Sequence, residues 1–145
     1  VYSIVEEDVA FGLENLGMKT EEMKTKVNGI LKELNIEYLA KNNINMLSAG
    51  QKQLTALAGI LVMNPKYIVF DEPTTLLDSK NKANIMKIIK KLNKKSKIGI
   101  ILVTNLLNDI KYAENVVVMG NGKIIFDDKK SKLNDKILKK AGLDA

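Results

Sequence analysis

One stretch limits the fold more than any other. Leu47 to Asp78 reads LSAGQKQLTALAGILVMNPKYIVFDEPTTLLD. Ser48 and Gln51 stand in the Ser-x-x-Gln spacing of a capping box, so a helix starts there. Asn64-Pro65 ends it, because the residue before a proline is pushed out of the helical region. Tyr67 to Phe70 is then a continuous apolar run, as expected for a strand covered on both faces. It stops at two carboxylates, Asp71 and Glu72.

The rest of the chain extends this pattern on both sides. Glu6 to Leu16 is predicted helical, with Gly17 as its stop. Thr20 is expected to cap a second helix whose apolar positions are Met23, Val27, Ile30, Leu31 and Leu34. A loop of Lys41, Asn42, Asn43 and Asn45 precedes the third helix, Ser48 to about Met63. After the first strand, Asp78 caps a helix from Ser79 to about Asn93. Its buried stripe is Ile85, Ile88, Ile89 and Leu92. Lys87, Lys90, Lys91 and Lys94 lie on the opposite face. Ile98 to Thr104 is a second buried strand, Leu106 to about Ala113 a short helix, and Val116 to Met119 a third strand. Gly120-Asn121-Gly122 turns that strand into Lys123 to Phe126. Lys129 to Ala141 reads as a basic helical tail. Strand alternating with helix implies a parallel α/β layer. The division expected is a helical part over 1–63, an α/β core over 64–128 and a tail over 129–145.

Composition narrows the chemistry. The chain has 145 residues, enough for one domain. Cysteine and histidine are absent, which excludes disulfides, thiolate metal sites and a histidine base. All 23 basic residues are lysine, so no arginine finger can come from this chain. Net charge is +6. A solvated lysine surface accounts for it; anionic lipid or nucleic acid are the sharper readings. With only 5% aromatic residues there is no aromatic-basic interleaving, and nucleic acid is not expected as a partner. The longest apolar stretch, Leu54 to Met63, is about half the ~20 residues a membrane span needs. The chain opens on Val1 in mid-pattern, which reads as a piece of a longer protein.

Two constellations carry chemistry. Ala49 and Gly50 are small and leave the first N–H groups of their helix uncovered. With the helix dipole, these form an anion site to which the Ser48 hydroxyl can donate. Capping alone also explains Ser48 and Gln51. Asp71 and Glu72 follow a strand, and ligands in parallel α/β sheets bind beyond the strands' carboxyl ends. In phosphoryl transfer the pair divides its work: Asp71 holds Mg²⁺ through water, and Glu72 orients and deprotonates the attacking water. A plain strand end is the alternative reading of the pair.

In order and spacing these motifs resemble the ATP-binding cassette ATPases. LSAGQKQ is similar to the family's signature sequence, and IVFDEPTTLLD to its Walker B motif joined to the D-loop, whose aspartate falls on Asp78. VEEDVAFGLENLG is similar to the segment after the Q-loop in ATPase subunits of energy-coupling factor and cobalt-type importers. The resemblance runs from Val1 to about Asp128. It implies a partial P-loop NTPase fold, α/β, with a helical subdomain, an incomplete parallel sheet and a C-terminal hairpin. It further implies ATP and Mg²⁺ as cofactors, and a head-to-tail homo- or heterodimer with a second ATPase subunit. There Ser48, Ala49, Gly50 and Gln51 would meet ATP held by the partner. An integral membrane subunit would dock on residues 1 to about 60. Vitamin or transition-metal uptake at the cytoplasmic face of a prokaryotic membrane is the implied role.

Four departures stand against that pattern. No GxxxxGK(S/T) P-loop and no Q-loop glutamine occur; the one Gly-Lys pair, Gly122-Lys123, sits in the expected hairpin turn. The family's H-loop histidine position is Asn105, which can donate to a phosphate but cannot titrate. Ala49 replaces the first signature glycine, and Leu54 stands where arginine is usual. These departures make a catalytically silent partner, lending only its signature helix, the alternative expectation.

Overall fold

The computed structural model describes residues 2–75 and 77–143. The chain forms two compact units, Val1–Leu102 and Val103–Ala145.

The first unit begins with α1 (Val5–Asn15) and α2 (Thr20–Glu33). Val5, Val9 and Leu13 recur every fourth residue on α1 and are buried together. Glu6, Glu7 and Asp8 fill its first turn, where the helix dipole favours acids. Gly17 closes its end as predicted: at φ +70° its N–H donates to the Glu14 carbonyl at 2.9 Å. Thr20 does not cap α2. The N-cap is Lys19, with no side-chain bond, and Thr20 is the first helical residue. Val27, Leu31 and Leu34 form the buried stripe of α2, and Ile36 and Leu39 extend it through a short 3₁₀ turn, Glu37–Leu39.

The predicted Asn-rich loop is tied to the N-terminal segment. Val5 N–H donates to Asn42 O (3.1 Å), Glu6 N–H to Ala40 O (3.0 Å) and Ile44 N–H to Ser3 O (2.8 Å). Lys41 and Glu6 add an ion pair on the same side. A second 3₁₀ turn, Ile44–Met46, then delivers the chain to α3 (Ala49–Leu61), which packs mainly on α1.

α3 leads into β1 (Tyr67–Asp71), α4 (Ser79–Ser96) and β2 (Gly99–Val103), with β1 and β2 side by side in a small parallel sheet. Ile85, Met86, Ile89 and Leu92 are the buried face of α4, with Met86 buried and the expected Ile88 only half-buried; Lys87, Lys90, Lys91 and Lys94 are exposed, as the periodicity predicts. Neither strand is covered on both faces. Ile68 and Phe70 are buried, but Tyr67, Val69 and Ile101 are 77%, 62% and 58% exposed. Strand side chains alternate sides, and in β1 those of one side are buried while those of the other are exposed.

The second unit holds a 3₁₀ segment (Leu107–Tyr112), β3 (Asn115–Gly120), β4 (Lys123–Lys129), a 3₁₀ turn (Lys130–Lys132) and α5 (Asp135–Lys140). β3 and β4 are antiparallel, with Gly120 opposite Lys123 and a bulge after Val118. Asn121 (φ +50°) and Gly122 (φ +73°) make the turn, since a two-residue hairpin of this hand needs positive φ at both centres. The Gly122-Lys123 pair is therefore a hairpin tip. The short helix expected at Leu106 to about Ala113 is present as 3₁₀, Leu107–Tyr112. One expectation changes here. The basic tail is not one helix: Leu133 is extended (ψ 139°), and Asn134 starts a new helix by accepting the Ile137 N–H at 3.1 Å. The ends of the predicted tail and resemblance, Ala145 and Val1, lie outside the described residues, as do Leu76 and Asp144.

Candidate functional site

The start of α3 is built as a reciprocal box. The Ser48 hydroxyl oxygen accepts the Gln51 N–H (3.4 Å), and Gln51 Oε1 accepts the Ser48 N–H (2.9 Å). In this arrangement the Ser48 hydroxyl uses a lone pair and keeps its proton to donate. Capping and anion binding are thus compatible at one serine. Ser48 and Ala49 are exposed, and Gln51 is half-buried. The Ala49 methyl therefore points where there is room. Gly50, in contrast, is buried.

What buries Gly50 is Asn81, from the first turn of α4. A Cβ at Gly50 would lie 2.9 Å from both Cγ and Oδ1 of Asn81 and 3.3 Å from Nδ2. Asn81 is itself held. Its Nδ2 donates to Asp78 Oδ2, and its N–H donates to Asp78 Oδ1 at 3.0 Å. Asp78 is the α4 N-cap, as predicted, and also accepts the Lys80 N–H at 2.9 Å. These donors, the Asn81 N–H first, then the Asn81 amide and Lys80 N–H, hold the Asp78 carboxyl below the usual carboxylate range. Sequence reasoning missed Asn81. The Asp-x-x-Asn spacing of a cap was visible, but nothing local announces the contact with a glycine 31 residues earlier.

At the end of β1, Asp71 is exposed on the last strand residue. Glu72 is not on the strand. Its φ is +46°, a left-handed conformation that costs a non-glycine residue about 1–2 kcal/mol. Its Oε2 accepts the Thr75 hydroxyl at 3.1 Å, and its carbonyl accepts the Thr75 N–H at 3.3 Å. The backbone thus turns between the last strand residue, Asp71, and Glu72. No described hydrogen bond links Asp71 or Glu72 to Ser48 or Gln51. Among the described residues no cluster of three acidic side chains could hold a metal by itself.

In the second unit Asn105 is exposed, next to a buried bracket. Thr104 Oγ1 donates to Asp109 Oδ2 (3.0 Å) and accepts the Leu106 N–H (3.1 Å), so the residues on both sides of Asn105 are fixed. Asp109 is 1% exposed. Neither Thr104 nor Asp109 stood out in the sequence.

The ABC transporter family profile matches residues 2–75, half of the chain, including the α3 cap and the Asp71-Glu72 turn. This chain belongs to the ABC transporter family. Over 99% of its length it is 43% identical to the energy-coupling factor transporter ATP-binding protein EcfA1 of Caldanaerobacter subterraneus subsp. tengcongensis, covering 53% of that protein. The structure of cbiO1 from Clostridium perfringens, part of the ABC transporter complex cbiONQ, superposes with a TM-score of 0.82 at 33% identity. It is covered over 99% of this chain and 58% of its own. The dimeric structure of MJ0796, a bacterial ABC transporter cassette, gives a TM-score of 0.75 at 31% identity, covering 88% of this chain and 56% of that one. The chain thus spans about half the length of the ABC relatives it matches, and the fold is the expected partial ABC ATPase α/β domain.

Proposed function

We propose that this chain is the signature and Walker B half of an ATP-hydrolysing subunit of an ABC importer, energising uptake of a vitamin or transition-metal ion. The observation that carries the reading is the exposed, boxed start of α3 followed one helix and one strand later by the Asp71-Glu72 turn. A P-loop is required to hold ATP beside Glu72, and this sequence contains none.

On this reading two ATPase subunits pair head to tail, a reading supported by the dimeric structure of the similar cassette MJ0796. The Ser48 hydroxyl, the first N–H groups of α3 and Gln51 close on the partner's ATP. Asp71 suits Mg²⁺, which takes one or two carboxylates and completes its shell with water and phosphate. Mg²⁺, when bound, neutralises phosphate charge. Glu72 accepts the proton of the attacking water, with Thr75 steadying its carboxylate. Asn105 donates to the terminal phosphate. A membrane subunit docks on the helical first sixty residues. No described helix is long and apolar enough to cross a membrane, in keeping with peripheral attachment at the cytoplasmic face.

A second reading is favoured by Asn105, which lacks the charge and titration of the family's histidine. There the chain is a silent partner that supplies only α3 to an active subunit. The test of both uses the chain joined to a P-loop half, its own where the natural protein carries one and otherwise that of an EcfA1 relative. Mg-ATP turnover abolished by Glu72→Gln supports the first reading. ATP-dependent pairing without turnover at its own site supports the second. Neither turnover nor ATP-dependent pairing overturns both.

A further inference from the structure

Gly50 invites a simple explanation from sequence: a small residue lets backbone approach phosphate. The space beside it gives a second reason. Ala49 is exposed and carries a methyl, whereas Gly50 is buried. The space a Gly50 side chain would need is filled by the Asn81 carboxamide, with Cγ and Oδ1 each 2.9 Å from the site of a Cβ. Contacts that short essentially never occur, so one partner must move. Asn81 is not free to move. Its amide nitrogen and its backbone N–H are both engaged by the two oxygens of Asp78.

We propose that Asn81 is a positioning residue that locks the Asp78 carboxylate to the first turn of α3. Gly50 is glycine to admit it. The inference rests on the ATPase reading above. It adds that the signature helix and the D-loop of one subunit move as a single block when they meet the partner's nucleotide. Asp78 orients the amide, the amide fills the place a Gly50 side chain would take, and the capping box of Ser48 and Gln51 is part of the same helical turn. A shift of Asp78 is therefore felt one side chain away at the residues that close on ATP.

The experiment is a double-mutant cycle in the P-loop-completed protein, read in Mg-ATP turnover and in the Asn81 side-chain amide resonances. Gly50→Ala is expected to lower turnover about tenfold, since the new methyl must displace Asn81. Asn81→Gly alone lowers it a few-fold by releasing Asp78. With Asn81→Gly in place, Gly50→Ala is expected to cost no more than about twofold, because the clash is gone. Equal Gly50→Ala penalties in both backgrounds overturn the inference and return Gly50 to the phosphate. The resonances give a readout independent of chemistry. The Asn81 amide protons should be slow to exchange, show contacts to the Gly50 α-protons, and shift on Asp78→Asn. In the wild type, fast-exchanging amide protons without those contacts overturn it too, whether or not the Gly50→Ala variant folds. A wild type with neither turnover nor ATP-dependent pairing defeats the ATPase reading instead, and leaves the amide measurement to decide this one.

Discussion

Ser48 and Gln51 hold each other's backbone N–H groups, at 3.4 and 2.9 Å, across the first turn of α3. Because the serine is both cap and candidate phosphate ligand, substitution can separate the two roles. Ser48→Ala should cost about 1 kcal/mol of stability in chemical denaturation and also weaken ATP-dependent pairing. Ser48→Asp should keep most of the stability, since aspartate caps as well as serine. Its negative charge should nevertheless abolish pairing with the partner's ATP. Retained pairing in Ser48→Asp would reduce Ser48 to a cap.

Glu72 offers a similar separation. It sits at φ +46°, where only glycine is comfortable. Glu72→Gly should remove that strain and stabilise the protein by about 1 kcal/mol in a thermal or denaturant midpoint, less what the lost Thr75 bond supplied. It should also eliminate turnover. Glu72→Gln should eliminate turnover with no such gain in stability, because it keeps the strained backbone. Equal stability of the two variants would show that the left-handed turn is relaxed.

Asp78 predicts a pH dependence. Its carboxyl is held below the ordinary range by the N–H of Asn81, the Asn81 amide and the N–H of Lys80. A depressed carboxylate contributes stability that is fully present above its unfolded pKa, about 3.9, and lost as pH falls through the lower folded value. Wild type should therefore exceed Asp78→Ala in thermal midpoint at neutral pH, and the gap should narrow only below about pH 4. A gap that closes already between pH 5 and 7 would assign the effect to another group.

How far the sequence could be read follows from how far each interaction reaches along it. Ser48 with Gln51, Asp78 with the N–H groups two and three residues on, and Asn121-Gly122 are local, and residue type and spacing announced them. Thr20 was a plausible cap, yet Lys19 holds the position; either residue can precede a helix, and no side-chain bond forms to decide it. Val69 and Ile101 have the composition of doubly covered strands. Whether a second layer covers them depends on residues elsewhere, and here they are exposed. Asn81 against Gly50 and Thr104 against the buried Asp109 depend on elements folding back, which no periodicity reports.

The exposed sheet face has its own consequence. Tyr67 and Val69 on β1, and Ile101 on β2, present apolar side chains to water, and among the described residues no further strand pairs with β1 or β2, which leaves an edge on each side. Such edges recruit other strands, and an apolar patch of this kind favours association. The 145-residue chain by itself is therefore expected to self-associate, with an apparent mass that rises with concentration in sedimentation and a broad, weakly cooperative melt. Val69→Lys places a charge at the centre of the exposed row while leaving buried Ile68 and Phe70 untouched, so it should reduce association without unfolding the helical part. Joining the chain to a P-loop half should suppress association in the same way and sharpen the melt, if that half supplies the missing strands and cover. A dilute monomer with a sharp transition would show instead that the sheet needs no further partner.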